Sequence, residues 1–335
     1  MKNTYDIIII GSGIVGSLAA RYLSRYELSV LVIEKEIDVG MCPSSANSAI
    51  IHAGYDPKPG TLKAEMNSKG SRLWGPLAQE LGIVYKKTGS LVVSFGSEDD
   101  KKLKKLYERG IDNNIPQIRF LNKEELLKQE PLINTKARGA LFAGSAAVID
   151  PFGAVLAAAE NAVSNGVEYM FETSFEDFVI EDGRVTGIKT DKGVFNCRWA
   201  VNCAGLFSDE VSHKAGVRRD FSIIPRKGGY IVFDPMKIKV SNVIFPLPTE
   251  KGKGTLVSTT THGNTLAGPD NESASDKEDT SIQPQTIQQL LENAKKLVPS
   301  LDSSGIIAMY SGISCLLYTS PSPRDRTRSR MPSSA

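Results

Sequence analysis

His52 has the surroundings in which an imidazole can carry out acid–base chemistry, and it is one of only three histidines among the 335 residues. It lies between the apolar residues 49–51 and the turn Ala53-Gly54, and a loop with two prolines follows. An imidazole titrates near neutrality, so it can accept a proton from a hydroxyl group at physiological pH. The alternative is a core histidine whose nitrogens bond to backbone groups, and its neighbours alone do not decide between the two.

A glycine pattern near the start of the chain predicts a dinucleotide-binding turn. It follows the apolar, β-branched run YDIIII and precedes a helical pattern, SLAARYLSRY. In such a turn the first glycine permits the tight bend, the second lets a pyrophosphate approach the backbone, and the third lets the helix pack against the strand. The amides at the helix N-terminus then face the phosphates. The residues of this turn that we expect to bind a cofactor are Gly11, Gly13, Ile14, Val15 and Gly16.

A carboxylate lies where this motif requires one. Glu34 ends the second apolar strand, LSVLVIE, and its distance from the glycines matches the spacing at which the motif has its acidic residue. It is placed to accept hydrogen bonds from a ribose diol. Its negative charge argues against NADP, whose additional phosphate it would repel, but the motif does not separate NAD from FAD.

The composition is that of a globular protein, with 41% hydrophobic and 23% charged residues. The segment 315–335 holds four of the 40 Lys and Arg and one of the 38 Asp and Glu, so the rest of the chain is close to neutral and nothing favours a nucleic-acid partner. No apolar run approaches the roughly 20 residues that span a bilayer. The four cysteines form no CxxC pair, so no metal site is expected. We expect a cytoplasmic protein without an integral membrane segment, and peripheral association with a membrane stays open.

Residues 315–335 differ from the rest of the chain. More than half of them are Ser, Pro or Arg, and they show neither helical nor strand periodicity. Such a composition is typical of a disordered basic tail. The segment also resembles translated sequencing-adapter read-through, and we favour this interpretation because it begins within a predicted strand. We therefore expect an artefactual or disordered tail and a natural protein that continues differently.

Three segments together resemble the FAD-dependent D-amino-acid-oxidase-like superfamily: the opening strand–turn–helix–strand unit, SSANSAIIHAGYDPKPGTLKA and VNCAGLFSDEV. Within it the chain is most similar to FAD-linked glycerol-3-phosphate dehydrogenases and oxidases, whose substrate domain the segments PRKGGYIVFD and IFPLPTEKGKGTLVSTTTHGNTLAGP fit. The resemblance covers residues 3 to about 313. It implies FAD as the cofactor and an α/β fold, in which a Rossmann-like FAD-binding domain with a parallel sheet is interleaved with an antiparallel-sheet substrate domain.

The same resemblance implies roles for individual residues. His52 falls where the family places its catalytic histidine, which removes the hydroxyl proton as hydride leaves the substrate carbon. Further residues expected to bind FAD are Lys35, Ser44, Ser45, Asn47, Ser48, Phe175, Ala204 and Gly205. A phosphate-bearing substrate needs cationic partners. The residues expected to bind substrate are Ser48, Lys251, Lys253 and His262, with Arg226 and Lys227 as the next cationic candidates.

The resemblance also implies an order of domains along the chain. We expect the FAD-binding domain at 1–83 and 151–216, the substrate domain at 84–150 and 217–314, and the tail at 315–335.

The expected activity is oxidation of glycerol 3-phosphate to dihydroxyacetone phosphate, with oxygen, a quinone or a partner subunit as the electron acceptor. One alternative is an L-2-hydroxyglutarate (2-hydroxy acid) dehydrogenase or oxidase, whose family carries a similar NS…IH.G…KPG…LKA stretch. The other is a truncated fragment without catalytic activity. It stays open because the family has an arginine and a glycine-rich segment soon after SGI, where this sequence has Ser314 and the tail.

Overall fold

The computed structural model describes residues 2–216, 222–248 and 254–315. Within these ranges the chain forms seven α-helices: α1 Ile14–Leu23, α2 Leu62–Leu81, α3 Ser97–Asp112, α4 Lys123–Gln129, α5 Pro151–Ser164, α6 Ser208–Lys214 and α7 Pro284–Leu297. Two 3₁₀ turns lie at Gly205–Phe207 and Ser303–Gly305.

The strands of the described residues belong to three sheets. In chain order they are β1 Thr4–Ile10, β2 Val30–Ile33, β3 Ile50–Ile51, β4 Tyr85–Lys87, β5 Ser90–Ser94, β6 Ile118–Asn122, β7 Gly139–Ala143, β8 Ala147–Ile149, β9 Glu168–Met170, β10 Phe175–Glu181, β11 Arg184–Thr190, β12 Gly193–Asn202, β13 Pro225–Phe233, β14 Val243–Phe245, β15 Leu256–Thr259, β16 Thr265–Gly268, β17 Glu272–Ser273 and β18 Ile306–Cys315.

The first sheet has the order β10-β11-β12-β1-β2-β9. Strand β1 runs parallel to both β2 and β12, and β2 runs parallel to β9, whereas β10, β11 and β12 are antiparallel. Ile9 and Val32 pack on one face with Ala20 of α1 and Ala162 of α5. Because both faces of β1 and β2 are covered, these strands are apolar throughout rather than alternating.

The second sheet has the order β17-β13-β16-β15-β14-β5-β7-β6, and β18 pairs with the other side of β13. Among its described strands, all pairings are antiparallel except the one between β14 and β5. Helix α7 covers it, because Leu290 and Ala294 pack with Ile231 and Val257. The first sheet uses residues 4–33 and 168–202, and the second uses 90–143 and 225–315. The predicted α/β fold with interleaved sheets is therefore confirmed, while the predicted domain boundaries stay a prediction.

A small third sheet, β3-β8-β4, directs the chain toward the site described below. Ile50 pairs with Val148 and Ile51 with Ala147, and His52 directly follows β3. Helix α2 then begins at Leu62, and its N-cap is Thr61, whose hydroxyl accepts from the Ala64 amide at 3.3 Å. Among the described helices, none combines the length and the apolar character that crossing a membrane requires.

Candidate functional site

Gly11 and Gly16 are packed too closely against backbone atoms to carry a side chain. Gly11 has φ +100°, and a Cβ on it would lie 2.6 Å from the carbonyl oxygen of Cys203. A Cβ on Gly16 would overlap the carbonyl oxygen of Gly11. Gly13 precedes α1 without a side-chain cap of its own, and the Ile14 amide, the first of the helix, donates to the Ser44 hydroxyl at 2.9 Å. The close backbone packing at Gly11 and Gly16 is what the glycine pattern predicts for a phosphate site at this helix N-terminus.

The Glu34 carboxylate is held against this turn. Its Oε2 accepts from the amide and the hydroxyl of Ser12, at 2.7 and 2.8 Å, and its Oε1 accepts from the Glu36 amide at 3.0 Å. The Glu34 carbonyl accepts from the Thr173 amide at 2.8 Å. The loop that leads to Phe175 therefore lies next to Glu34. Phe175 itself packs on Phe178, with 4.7 Å between ring centroids.

The end of β12 lies on the other side of the glycine turn. The Cys203 amide donates to the Ile10 carbonyl at 2.9 Å, which continues the pairing of β12 with β1. The Asn202 side chain accepts from the Ala204 amide at 3.2 Å, and Gly205 follows with φ +54°. The structure thus brings Ala204 and Gly205 to the glycine turn. The sequence analysis missed Cys203, since its contribution is a backbone contact without a signal in residue type.

Lys35 contacts protein groups in this structure. Its ammonium pairs with Glu278 and lies 4.4 Å from the centroid of the Phe207 ring. Burial alone would lower the pKa of Lys35, but the hydrogen bond and charge of Glu278 outweigh it, so the pKa is raised. The predicted contact of Lys35 with FAD stays a prediction.

The serine-rich segment is tied to the start of α1. The Ser44 hydroxyl accepts from the Ile14 amide at 2.9 Å. The Ser45 hydroxyl donates to the Cys42 carbonyl at 3.0 Å. Ser44 therefore places this segment beside the glycine turn. Val15, the next helical residue, is two-thirds exposed at the same helix end.

Asn47 shapes the segment through its side chain. Its amide group donates to the carbonyls of Pro43 and Ser44, at 3.0 and 2.8 Å, and its oxygen accepts from the Ala49 amide at 2.7 Å. Ala49 has φ +55°, which is uncommon for a residue other than glycine. The Asn47 bond stabilises this bend, so the chain enters β3 directly afterwards. Both amide protons of Asn47 bond within the segment, and its predicted contact with the flavin ring stays a prediction.

Two stacked tyrosines contact this segment from the second sheet. The Tyr310 hydroxyl donates to the Asn47 carbonyl at 2.8 Å. The Tyr230 hydroxyl interacts with the Ser48 side chain, and burial raises the pKa of Tyr230 to about 12. The two rings are 4.8 Å apart and 16° from parallel. The sequence analysis missed both, because only the pairing of β13 with β18 brings them together.

His52 lies half-buried between the third sheet and β14. Its ring centroid is 5.8 Å from that of Phe245, the last residue of β14. The other described candidate, His262, is exposed in the turn after β15. Ile244 pairs with Val257, so the Phe245 end of β14 lies at the start of β15, whereas His262 follows the end of β15. The structure therefore does not bring His262 together with His52.

The cationic candidates have different positions. Lys251 and Lys253 lie outside the described residues. Lys227 is buried and pairs with Asp279 at 2.9 Å. The Arg226 guanidinium donates to the side chain and carbonyl of Asn271 and to the Ser273 hydroxyl. Arg226 and Lys227 thus make protein contacts on β13 of the second sheet, and their predicted contact with substrate stays a prediction.

The chain is similar to several known proteins. A family model described as FAD dependent oxidoreductase matches residues 6–330. A glycerol 3-phosphate dehydrogenase from Caloramator mitchellensis is 41% identical over 310 residues, which is 92% of this chain and 64% of that protein. The chain thus spans slightly less than two thirds of the length of that relative.

Two further matches are informative. The solved structure of dithionite-reduced L-alpha-glycerophosphate oxidase from Mycoplasma pneumoniae, with FAD bound, superposes with a TM-score of 0.89 and 31% identity. The superposition covers 97% of this chain and 85% of the oxidase chain. The mitochondrial L-2-hydroxyglutarate dehydrogenase of Homo sapiens is 33% identical over 267 residues, covering 74% of this chain and 56% of that protein.

Proposed function

The chain belongs to the family of FAD dependent oxidoreductases, and on this premise we propose that it oxidises glycerol 3-phosphate to dihydroxyacetone phosphate. One observation carries the proposal. The segment that ends at His52 is joined to the dinucleotide turn through the 2.9 Å bond between the Ser44 hydroxyl and the Ile14 amide. A single stretch of chain therefore connects the candidate base to the cofactor site. The relatives named glycerol 3-phosphate dehydrogenase and glycerophosphate oxidase support the choice of substrate.

The residues present fit FAD. Neither Gly11 nor Gly16 has room for a Cβ, so the turn presents backbone at the start of α1, as close approach of a pyrophosphate requires. Glu34 lies beside it with its carboxylate fixed by Ser12, and we propose that it also accepts from the ribose hydroxyls. We propose that the segment 44–48 lines the flavin ring, where small side chains let the backbone approach.

The proposed chemistry removes a hydride and a proton from one secondary alcohol. FAD, when bound, supplies the acceptor for the hydride that leaves C2 of glycerol 3-phosphate. His52 accepts the hydroxyl proton at an imidazole nitrogen, and the C2–O bond becomes the ketone of dihydroxyacetone phosphate. The packing of His52 on Phe245 orients the imidazole ring. Lys251 and Lys253 are the residues proposed to bind the phosphate.

L-2-Hydroxyglutarate oxidation is the second candidate function. The human enzyme of that name is 33% identical over 74% of this chain, which supports this second candidate. The two substrates differ in the anion that has to be bound, a phosphate in one case and a second carboxylate in the other. Inhibition by glycerol phosphate analogues, but not by 2-oxoglutarate, would favour the phosphate substrate.

A flavin reduction experiment tests the proposal. The purified chain is examined for the visible absorption of bound flavin, and glycerol 3-phosphate is then added without oxygen. Bleaching, with dihydroxyacetone phosphate as the product, is the expected result. Bleaching only with L-2-hydroxyglutarate would replace the proposed substrate by the second candidate. Absence of bound flavin would contradict the proposed function for this chain. Reoxidation by oxygen or by a quinone analogue then identifies the electron acceptor.

A further inference from the structure

Tyr230 and Tyr310 are directly opposite each other on β13 and β18. Their rings stack at 4.8 Å, and only 7% of Tyr230 is exposed. Stacked aromatic rings with this separation restrict each other's orientation. The two phenols therefore reach the segment 46–48 from a rigid platform, because both are on paired strands of the second sheet.

Tyr310 acts on the segment through one hydrogen bond. Its hydroxyl donates to the Asn47 carbonyl at 2.8 Å, while the Asn47 side chain holds the bend at Ala49. The Ala49 carbonyl accepts from the Ile149 amide at 3.0 Å, which begins the pairing of β3 with β8. A continuous series of contacts thus connects the Tyr310 hydroxyl with the strand that precedes His52.

A glycine on the same strand shows how closely the segment contacts β18. Gly312 comes second after Tyr310, so the two residues face the same side of the strand. A Cβ on Gly312 would overlap the carbonyl oxygen of Ala46. The backbone of β18 therefore contacts Ala46 directly, and Tyr310 bonds to the neighbouring residue. The two contacts therefore restrict two consecutive peptide groups, those that contain the Ala46 and Asn47 carbonyls.

Both phenols keep their protons at physiological pH. Burial raises the pKa of Tyr230 to about 12 and also raises the pKa of Tyr310. The carboxylate that faces Tyr230 is Asp270, whose own pKa is raised by burial and whose Oδ1 accepts from the Gly229 amide. Tyr310 therefore remains a hydrogen-bond donor over the whole range in which a histidine titrates.

We propose that the Tyr230–Tyr310 pair positions the segment 46–52 for the oxidation reaction, with Tyr310 fixing the Asn47 peptide and thereby the placement of His52. The inference rests on the proposed function, because the segment has to face FAD. Neither tyrosine is a proton acceptor in this scheme. They act through the segment that they hold.

Tyr310→Phe tests the pair, because it removes the Asn47 bond and keeps the stacked ring. In the FAD-bound variant, the rate of flavin reduction at saturating glycerol 3-phosphate should fall roughly tenfold. The amount of FAD bound per protein should stay within about 20% of the parent, and the half-saturating concentration of glycerol 3-phosphate should change less than about twofold. The visible absorption bands of bound FAD should shift, which needs no substrate. Tyr107→Phe is the matched control, since Tyr107 also packs on a ring, that of Phe120 at 4.9 Å, but lies on α3.

Each result decides the proposal. Reduction at the parent rate with an unchanged spectrum in Tyr310→Phe overturns it. A lower melting temperature with an unchanged rate per bound flavin also overturns it, since the role is then only structural. If Tyr310→Phe does not fold, Tyr230→Phe provides the test, because it keeps the Asn47 bond and loses only the Ser48 interaction. Flavin reduction that is slower by roughly threefold or more supports the role of the pair. Flavin reduction at the parent rate overturns it.

Failure of the proposed function gives a different result. The parent itself then shows no bleaching with glycerol 3-phosphate. In that case the absorption spectra alone test the positioning role of the tyrosine pair. Shifted bands in Tyr310→Phe, but not in Tyr107→Phe, support the positioning role with another substrate, and identical bands in both variants overturn it.

Discussion

The ring of His52 lies 5.8 Å from the ring of Phe245, at an interplanar angle of 31°. Phe245 is buried in the second sheet, whereas His52 follows the short strand β3 of the third sheet. The pair therefore connects two sheets at the position where the segment from the glycine turn ends. Such a contact restricts the orientation of the imidazole ring.

Replacing His52 tests whether this ring carries out chemistry. His52→Ala should lower the rate of anaerobic flavin reduction by glycerol 3-phosphate roughly 100-fold or more while FAD stays bound, because no base then accepts the hydroxyl proton. His213→Ala is the matched control and should reduce flavin at the parent rate, since His213 lies on α6 and is not among the predicted catalytic or binding residues. Equal rates for His52→Ala and the parent would favour a structural histidine.

Gly16 provides a test of the dinucleotide turn. A Cβ on Gly16 would overlap the Gly11 carbonyl oxygen, so Gly16→Ala has to displace the turn from the start of α1. We expect loss of bound FAD and a decrease in the free energy of unfolding of roughly 1–3 kcal/mol, the range for overpacking. Flavin absorbance per protein and urea unfolding measure the two effects.

Gly70→Ala is the control for that substitution. Gly70 is on α2, and a Cβ there would meet no atom within 4 Å. Alanine is favoured over glycine in a helix by about 0.5–1 kcal/mol, so this variant should be at least as stable as the parent and keep its FAD. Full FAD retention by Gly16→Ala would show that the turn adapts and would contradict the close packing described here.

The local patterns in the sequence predict the dinucleotide unit well, because its determinants are local. An apolar strand, three glycines and Glu34 follow one another within a single strand–turn–helix–strand unit, and the structure places them together. The near-helical spacing of five apolar residues likewise predicts a helix over 61–82, namely Leu62, Met66, Leu73, Leu77 and Leu81; the structure has this helix at Leu62–Leu81. However, the first three of these side chains are exposed and the last two are only half-buried, while the fully buried residues of α2 are Ala64, Ser68 and Ala78. Periodicity indicates the helix but does not determine which side is covered.

The tyrosine pair shows why other parts of the site are not predictable from local patterns. Tyr230 and Tyr310 are far apart in the sequence, and neither belongs to a motif. Their contact depends on the register of β13 against β18, which long-range packing determines. The sequence predicts Asn47 and Ser48 as flavin contacts, but the partners that hold them come from strands whose pairing only the fold reveals.

The two lysines between β14 and β15 provide a test of the substrate anion. The double variant Lys251→Ala/Lys253→Ala should raise the half-saturating concentration of glycerol 3-phosphate by roughly tenfold or more, since a phosphate loses cationic partners. FAD content and the rate at saturation should change much less. Lys123→Ala is the control, because Lys123 is an exposed lysine at the start of α4. An unchanged half-saturation in the double variant would exclude these lysines as the phosphate site.

An ion pair joins the loop that precedes α7 to helix α6. The Lys277 ammonium contacts Asp209 at 2.9 Å and Glu210 at 2.7 Å, and only 8% of the Asp209 side chain is exposed. Burial by itself raises the pKa of Asp209. The hydrogen bonds from the Ile223 amide and from Lys277 outweigh burial, so the pKa of Asp209 is below its ordinary value.

The free energy of unfolding of Asp209→Asn should therefore depend less on pH in the acidic range than that of the parent. A carboxyl with a lowered folded-state pKa stabilises the protein above its unfolded pKa of about 3.9, and this contribution is lost as the pH falls through the folded-state value. At pH 7 the variant should be less stable by about 2 kcal/mol in urea unfolding, and the difference from the parent should shrink as the pH falls below about 4. Glu210→Gln, which alters the exposed partner, should cost less than about 1 kcal/mol. A difference between parent and Asp209→Asn that stays constant as the pH is lowered through the acidic range would contradict the lowered pKa, because the remaining carboxylates titrate alike in both proteins.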